Sequence, residues 1–274
     1  MQFIERGRGT PLVLIPGLQG RWEYAKATVD ALSEAFRVIT FSLGDEPSAE
    51  FPYDAARGFD SYADQLGAVM ERAGVDRAII CGVSFGGLIA LRFAARNPER
   101  TAALVLASTP GPGWHLRPRH DVYASWPRIF GPLFLMEVPL RARRELLAAL
   151  PARRERLLFR RQLFRTLASA PVSLTRMAAR ARQIATYDQA ADCARITAPT
   201  LVVTGEAALD HVVAVDGSSR YAELIPGASR IVLQHSGHLG TVTQAHTFAT
   251  VVRNFVDGQA TLRSASASSS GRVA

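Results

Sequence analysis

The run Ala78-Ile79-Ile80-Cys81-Gly82-Val83-Ser84-Phe85-Gly86-Gly87-Leu88 constrains this chain more than any other stretch. An apolar segment of strand character meets three glycines and one serine, and a helical pattern to about Arg96 begins at once. A strand that turns directly into a helix leaves no room for side chains two positions before and after the turning residue. Gly82 and Gly86 occupy those positions around Ser84, giving the spacing G-x-S-x-G. Such a turn strains the serine backbone and lifts its hydroxyl above the sheet edge. It also aims the Phe85 amide and the helix amino end at one spot, where they can stabilise an oxyanion. An ordinary glycine-rich turn carrying an incidental serine is the plain alternative. A phosphate loop fits less well, because no Lys-Ser/Thr follows the glycines.

The surrounding chain repeats the same rhythm. Strand-like runs are expected at Pro11–Ile15, Arg37–Phe41, Ala78–Cys81, Ala103–Ala107, Leu201–Thr204 and Ser229–Leu233. Helical patterns fall between them, at about Trp22–Ala35, Phe59–Ala73 and Leu88–Arg96, with a last helix from about Val242 to Phe255. Short apolar strands alternating with helices predict an α/β fold, a mostly parallel central sheet with helices on both faces. Pro110-Gly111-Pro112-Gly113 interrupts the alternation, and up to Ala190 only amphipathic, arginine-rich helical stretches occur. The expected organisation is a core of residues 1–110 and 191–257, an inserted helical cap over 111–190, and a low-complexity, disordered tail over 258–274.

Charge separates the same regions. The net charge is +8, yet between Trp114 and Ala190 there are 15 arginines against 5 acidic residues, whereas the remainder holds 17 basic and 19 acidic residues. The excess therefore belongs to the insertion. A slightly acidic core without a recognised binding motif argues against nucleic acid. Two cysteines, Cys81 and Cys193, are too few for a disulfide framework. The amino terminus shows no basic region followed by an apolar one, and no run is long and apolar enough to span a membrane, so a cytoplasmic location is expected.

A serine hydroxyl attacks only when a base takes its proton, so a histidine and an orienting carboxylate should follow downstream, the acid before the histidine. His238, in Ser236-Gly237-His238-Leu239-Gly240, lies in the loop after the last strand between two glycines. Asp210 is the favoured acid in the loop after Thr204, with Glu206 and Asp216 as alternatives. Leu18, in Pro16-Gly17-Leu18-Gln19-Gly20 after the first core strand, is the candidate for a second oxyanion amide, and Gly17 permits close approach of substrate there.

LVLIPGLQG, CGVSFGGLIALRFAARNPERTAALVLAS, PTLVVTGEAALDHVV and HSGHLG, in that order, resemble the α/β-hydrolase superfamily over roughly residues 3–256. The resemblance implies Ser84 as nucleophile, His238 as general base, Asp210 as its orienter, and the amides of Phe85 and Leu18 as oxyanion hole. Departures exist: Pro16-Gly17 stands where many relatives have His-Gly, and Asp210 lies five residues after Gly205 where about three is common. Serine at the elbow argues against dehalogenase and epoxide hydrolase chemistry.

The reading reached is a hydrolase without cofactor or metal, acting on a small-molecule ester, lactone or thioester. Alternatives are C–C bond hydrolysis or perhydrolysis by the same residues, and a non-catalytic ligand- or partner-binding module. Trp114, Trp126 and Phe130 are expected to line an apolar substrate pocket, among other cap aromatics. The arginines Arg153, Arg154, Arg156, Arg160, Arg161 and Arg165 form either a solvated face or a docking site for an acidic carrier protein or a coenzyme A ester.

Overall fold

The computed structural model describes residues 2–270. Its strands are β1 (Ile4–Arg6), β2 (Pro11–Ile15), β3 (Arg37–Thr40), β4 (Ala78–Val83), β5 (Thr101–Ala107), β6 (Thr200–Thr204) and β7 (Ser229–Val232). They form one sheet in the order β1-β3-β2-β4-β5-β6-β7, in which only the β1–β3 pair is antiparallel. The expected α/β architecture is therefore present. The added edge strand β1 is short, half exposed and carries Glu5 and Arg6, so it has no apolar alternation by which to recognise it.

The central strands are apolar on consecutive residues because both sheet faces are covered. Val13, Ile15, Ile80, Leu104, Leu106 and Val202 point to one side, where they meet α2 (Phe59–Arg72) and α3 (Phe85–Arg96). Leu12, Leu14, Ile79, Cys81, Val105 and Leu201 point to the other, against α1 (Lys26–Leu32) and the C-terminal helix. Every one of these strand side chains is at most 1% exposed, and each buried Leu, Ile or Val contributes on the order of 1.5–3 kcal/mol. Helix α3 is buried along nearly its whole circumference. Of its two arginines, Arg92 pairs with Asp60 of α2 at 2.8 Å and with the buried Asp192 at 3.0 Å.

The insertion lies between β5 and β6 and contains α4 (Pro118–Ser125), α5 (Pro127–Arg141), α6 (Arg143–Ala149), α7 (Arg153–Ser169) and α8 (Leu174–Ala185). Short α9 (Gln189–Cys193) packs back on α3. After β6 come α10 (Val215–Ser219) and α11 (Tyr221–Leu224), and after β7 come α12 (Gly240–Thr243) and α13 (Ala245–Ser270). Helix α13 differs from expectation by continuing past Phe255 into the segment read as disordered. That segment, from Gly258 to Ser270, contains no proline to stop a helix, and its Gln, Ala, Leu and Arg residues favour one. Residues 271–274 of the expected tail lie outside the described residues.

From β2 the chain crosses to β3 on one side, while β4 lies on the other. Loops leaving the carboxyl ends of β2 and β4 consequently diverge and open a crevice at this switch point, the place where open α/β sheets receive ligands.

Candidate active site

Ser84 sits at that crevice with φ 53° and ψ −118°, a backbone conformation that costs a non-glycine residue roughly 1–3 kcal/mol. Hydrogen bonds hold it there: its amide donates to the Ala107 carbonyl at 2.8 Å, and its carbonyl accepts from the Gly87 amide at 2.9 Å. The flanking glycines are required by space. A Cβ on Gly82 would fall 2.2 Å from the Gly86 carbonyl oxygen, and one on Gly86 would fall 2.4 Å from that of Ile15. The elbow is thus pressed between its own strand and the β2 loop. Gly17 of that loop lies so close that a Cβ on it would be 3.5 Å from the Ser84 Cβ.

Three side chains from distant segments meet here. His238 Nε2 lies 3.1 Å from Ser84 Oγ, and His238 Nδ1 lies 3.4 Å from Asp210 Oδ2. With Nδ1–H donated to the carboxylate, Nε2 is left as an acceptor facing the serine O–H. Asp210 is itself oriented, because Oδ1 accepts the amides of Val212 and Val213, both at 2.9 Å.

Glu206, the alternative acid, is engaged elsewhere. Its Oε1 accepts the His235 amide at 2.6 Å, and its backbone amide donates to the Ser236 carbonyl at 2.7 Å. It stitches the loop after β6 to the loop after β7. The Glu206 carbonyl accepts the amides of Leu209 and Asp210, so the chain makes one tight turn before the acid, which accounts for the longer spacing from Gly205. Asp216, the other alternative, lies in the first turn of α10. Gly205 and Gly237 let the two loops touch: a Cβ on Gly205 would be 2.5 Å from Gly237 Cα, and one on Gly237 would be 2.5 Å from the Leu209 carbonyl.

The charges are mutually adjusted. Burial alone would depress the His238 pKa, but the Asp210 charge and hydrogen bond, with a smaller contribution from Glu145, outweigh it and raise the imidazole above its ordinary value of 6.5. Burial pushes Asp210 up, yet the His238 partner and the two amides hold it below the usual carboxylate range.

A cavity of about 210 Å³ lies under the cap. Ser84 does not line it; the cavity borders the site through Leu18, Leu209, Leu239 and Glu145, of which Leu209 and Leu239 adjoin Asp210 and His238 in the chain. Trp114 lines it, as do Phe134 and Met177. Trp126 and Phe130 do not: Trp126 is 61% exposed at the start of α5, and Phe130 stacks on Tyr123 at 5.9 Å between ring centres. Helical spacing alone could not distinguish the inward from the outward face of a helix with apolar residues on both. Arg117, Arg119, His120, Arg141 and His211 surround an adjoining opening, where Glu137 pairs with both Arg119 and Arg141.

Two residues of the site escaped the sequence reading. Arg180 of α8 is fully buried; it donates to the Leu18 carbonyl at 2.8 Å, to Asp45 at 2.7 Å and to Glu46 at 2.6 Å. A Cβ on Gly20 would collide with its guanidinium at 2.3 Å, so the β2 loop is shaped around this arginine. Glu145 of α6, 3% exposed, accepts the amides of Gly237 at 2.8 Å and Leu239 at 2.7 Å. The pair Asp45-Glu46 in an otherwise loop-like segment, and a lone acid within Arg141-Ala142-Arg143-Arg144-Glu145, were the available signals. Among the described residues, no cluster of three His, Cys, Asp or Glu is arranged to hold a metal ion, and no helix is long and apolar enough to cross a membrane.

The sheet order and the site at its switch point define a hydrolase of α/β architecture. A model of the α/β hydrolase fold matches residues 10–244, and the chain belongs to that family. It is 30% identical over 277 residues to the polyketide synthase ThaQ of Burkholderia thailandensis, a match covering 97% of this chain but 12% of the synthase. It is 33% identical to a 2-hydroxymuconate semialdehyde hydrolase of Pseudomonas sp. over 111 residues, 39% of each chain. The chain thus spans only a small part of the synthase, and the match to the semialdehyde hydrolase is confined to a segment. In fold it resembles the enol-lactonase of Burkholderia xenovorans LB400, with a TM-score of 0.76 and 21% identity over 93% of this chain and 96% of that one.

Proposed function

We propose that the protein is a cofactor-independent serine hydrolase that cleaves a carboxylic ester, lactone or thioester. The observation carrying this reading is the continuous contact from Ser84 Oγ through His238 to Asp210 at a strained strand–helix turn. Ser84 Oγ attacks the carbonyl carbon as His238 Nε2 takes its proton, and the tetrahedral oxyanion is received by the amides of Phe85 and Leu18. The imidazolium, stabilised by Asp210, then protonates the departing alcohol or thiol, or the ring oxygen of a lactone, leaving an acyl-enzyme. Water, deprotonated by the same imidazole, releases the acid and restores the serine.

The apolar cavity fits the acyl portion. The cationic opening, with three arginines against Glu137, supports a substrate bearing negative charge outside the cavity, as a coenzyme A ester or a carrier-bound acyl thioester does. Hydrolysis of p-nitrophenyl acyl esters of graded length by the native protein and by Ser84→Ala tests the chemistry. A loss of at least about 10⁴-fold in kcat is expected; equal rates would end the reading. Comparison of an acyl-CoA with a neutral thioester of the same acyl group tests the charge preference, which should weaken as salt is raised.

A further inference from the structure

Glu145 is a carboxylate that the serine-hydrolase reading does not use, although it touches the loop on which that reading depends. It comes from the cap, in helix α6, not from the core that carries Ser84, Asp210 and His238. A single oxygen, Oε1, accepts the backbone amides on either side of His238, those of Gly237 and Leu239. Gly237 is buried, so without this acceptor its amide would be an unpaired donor away from water, a costly arrangement. Glu145 also lines the cavity under the cap. One side chain therefore faces the substrate space and grips the loop of the base.

We propose that Glu145 is a positioning residue through which the seated cap aligns His238 and sets a second carboxylate against the loop that carries its imidazole. The proposal rests on the assignment of His238 as general base. Alignment follows from geometry: two amides converging on one oxygen fix the peptide planes that flank the histidine, while Asp210 fixes the ring itself. Basicity follows from charge. A second anion near the imidazole favours its protonated form, which develops as Ser84 attacks.

The groups facing Glu145 come from both regions. His238 and Asp210 act on it from the core loops, and His120 and Tyr123 of α4, Arg141 of α5 and His211 share its cavity. Helix α12, packed against α6, has no titratable side chain. Burial raises the Glu145 pKa, the two amides and His238 oppose this, Asp210 adds to it, and the net direction is upward. Its charge is therefore lost at a higher pH than that of an exposed glutamate, and the influence on His238 is strongest above that point.

Glu145→Gln keeps an oxygen for both amides and removes the charge. In the full chain with a p-nitrophenyl ester, the acidic limb of kcat/KM is expected to move down by about half to one pH unit, and kcat to fall about 3- to 10-fold. Glu145→Ala removes both contributions and should lower kcat about another 10-fold, with Ser84 still present for labelling. An acidic limb unmoved in Glu145→Gln overturns the proposal, whether or not Glu145→Ala folds. A fluorophosphonate probe separates the two levels of failure. A native protein whose Ser84 does not label overturns the hydrolase reading together with this one. A native protein that labels, paired with an unshifted Glu145→Gln profile, removes only the role of Glu145.

Discussion

The core and the cap bury their residues by opposite means. In the core, nearly all side chains of the central strands β2, β4, β5 and β6 and most of α3 are enclosed between sheet and helices. In the cap, α7 buries only Thr166 of its 17 residues, and α5 buries only Gly131 of 15. Among the described residues, the large exposed hydrophobic side chains all lie between Val122 and Leu167 except Val212 and Ile231. The cap meets the core along α8, where Ile184 joins the core cluster, and through buried polar contacts. Arg180 reaches the β2 loop, Glu145 reaches the His238 loop, and Tyr24 Oη donates to the Ala170 carbonyl at 2.8 Å. Nonpolar burial builds the scaffold, and a few polar anchors align the cap with the very loops that carry the site.

The largest expected effect tests the scaffold side of this comparison. Gly86→Ala places a methyl within 2.4 Å of the Ile15 carbonyl and 2.5 Å of the Pro16 carbonyl, which are backbone atoms that cannot yield alone. The elbow and the β2 loop must separate, so the proposed hydrolysis of a p-nitrophenyl ester should fall by about 10²-fold or more even where the chain still folds. Circular dichroism and ester turnover measured together check it. Retained activity would mean that the elbow and the β2 loop need not be held in contact.

Arg180→Met probes the polar anchors. The change leaves Asp45, 12% exposed, without its guanidinium partner and Glu46, 2% exposed, with only Arg176 at 3.3 Å, beside an apolar replacement. Breaking a buried pair in this way costs about 3–5 kcal/mol. Denaturant unfolding should show that loss, and limited proteolysis should cut first within the cap. Cleavage that begins in the core would contradict the view that the cap is fastened chiefly by such contacts.

A smaller effect concerns protons. In the proposed mechanism His238 must be neutral to accept the serine proton, and Asp210 raises its pKa above the ordinary 6.5, so kcat/KM should decline as pH falls through a midpoint above that value. The sign for stability is opposite. A histidine raised in the folded state stabilises the fold fully below its unfolded pKa, and that contribution fades as pH rises through the folded value. Asp210, depressed in the folded state, contributes above its unfolded pKa and loses that contribution as pH falls through the folded one. A pH–rate profile combined with melting temperatures measured across the same range checks both signs.

The core was more legible in the sequence than the cap, for the same physical reason. Buried parallel strands such as Leu12–Ile15 and Val105–Ala107 must be apolar on every residue, and Gly82 and Gly86 are forced by contacts closer than a Cβ allows, so these positions announce themselves. Ser84, Asp210 and His238 could be picked out because each follows a recognisable strand. Cap residues carry no such periodic mark. Trp126 and Trp114 read alike as pocket aromatics, although one faces outward and the other lines the cavity. Arg180 and Glu145 were hidden among other arginines and a short helix, because what distinguishes them is a partner more than 90 residues away in the chain. β1 was missed for want of any apolar alternation.

The smallest expected effect sharpens the contrast between the regions. Trp126, Ile129, Leu133, Met136 and Leu140 recur at spacings of three and four from the cap of α5 along its length and are all exposed, Met136 and Leu140 by 74% each. A helix face of this kind in a core would be worth several kcal/mol; here its removal should cost almost nothing. Met136→Gln leaves helix propensity nearly unchanged, so the difference measured is burial alone. Its effect on unfolding free energy should stay within about 0.5 kcal/mol, whereas Leu104→Ala in β5 should cost about 2–5 kcal/mol. If Met136→Gln instead destabilised the protein by more than about 1 kcal/mol, and did so more at high protein concentration, the α5 face would be buried between copies of the chain in solution. The cap would then obey the same rule as the core, with its nonpolar partner supplied by another molecule.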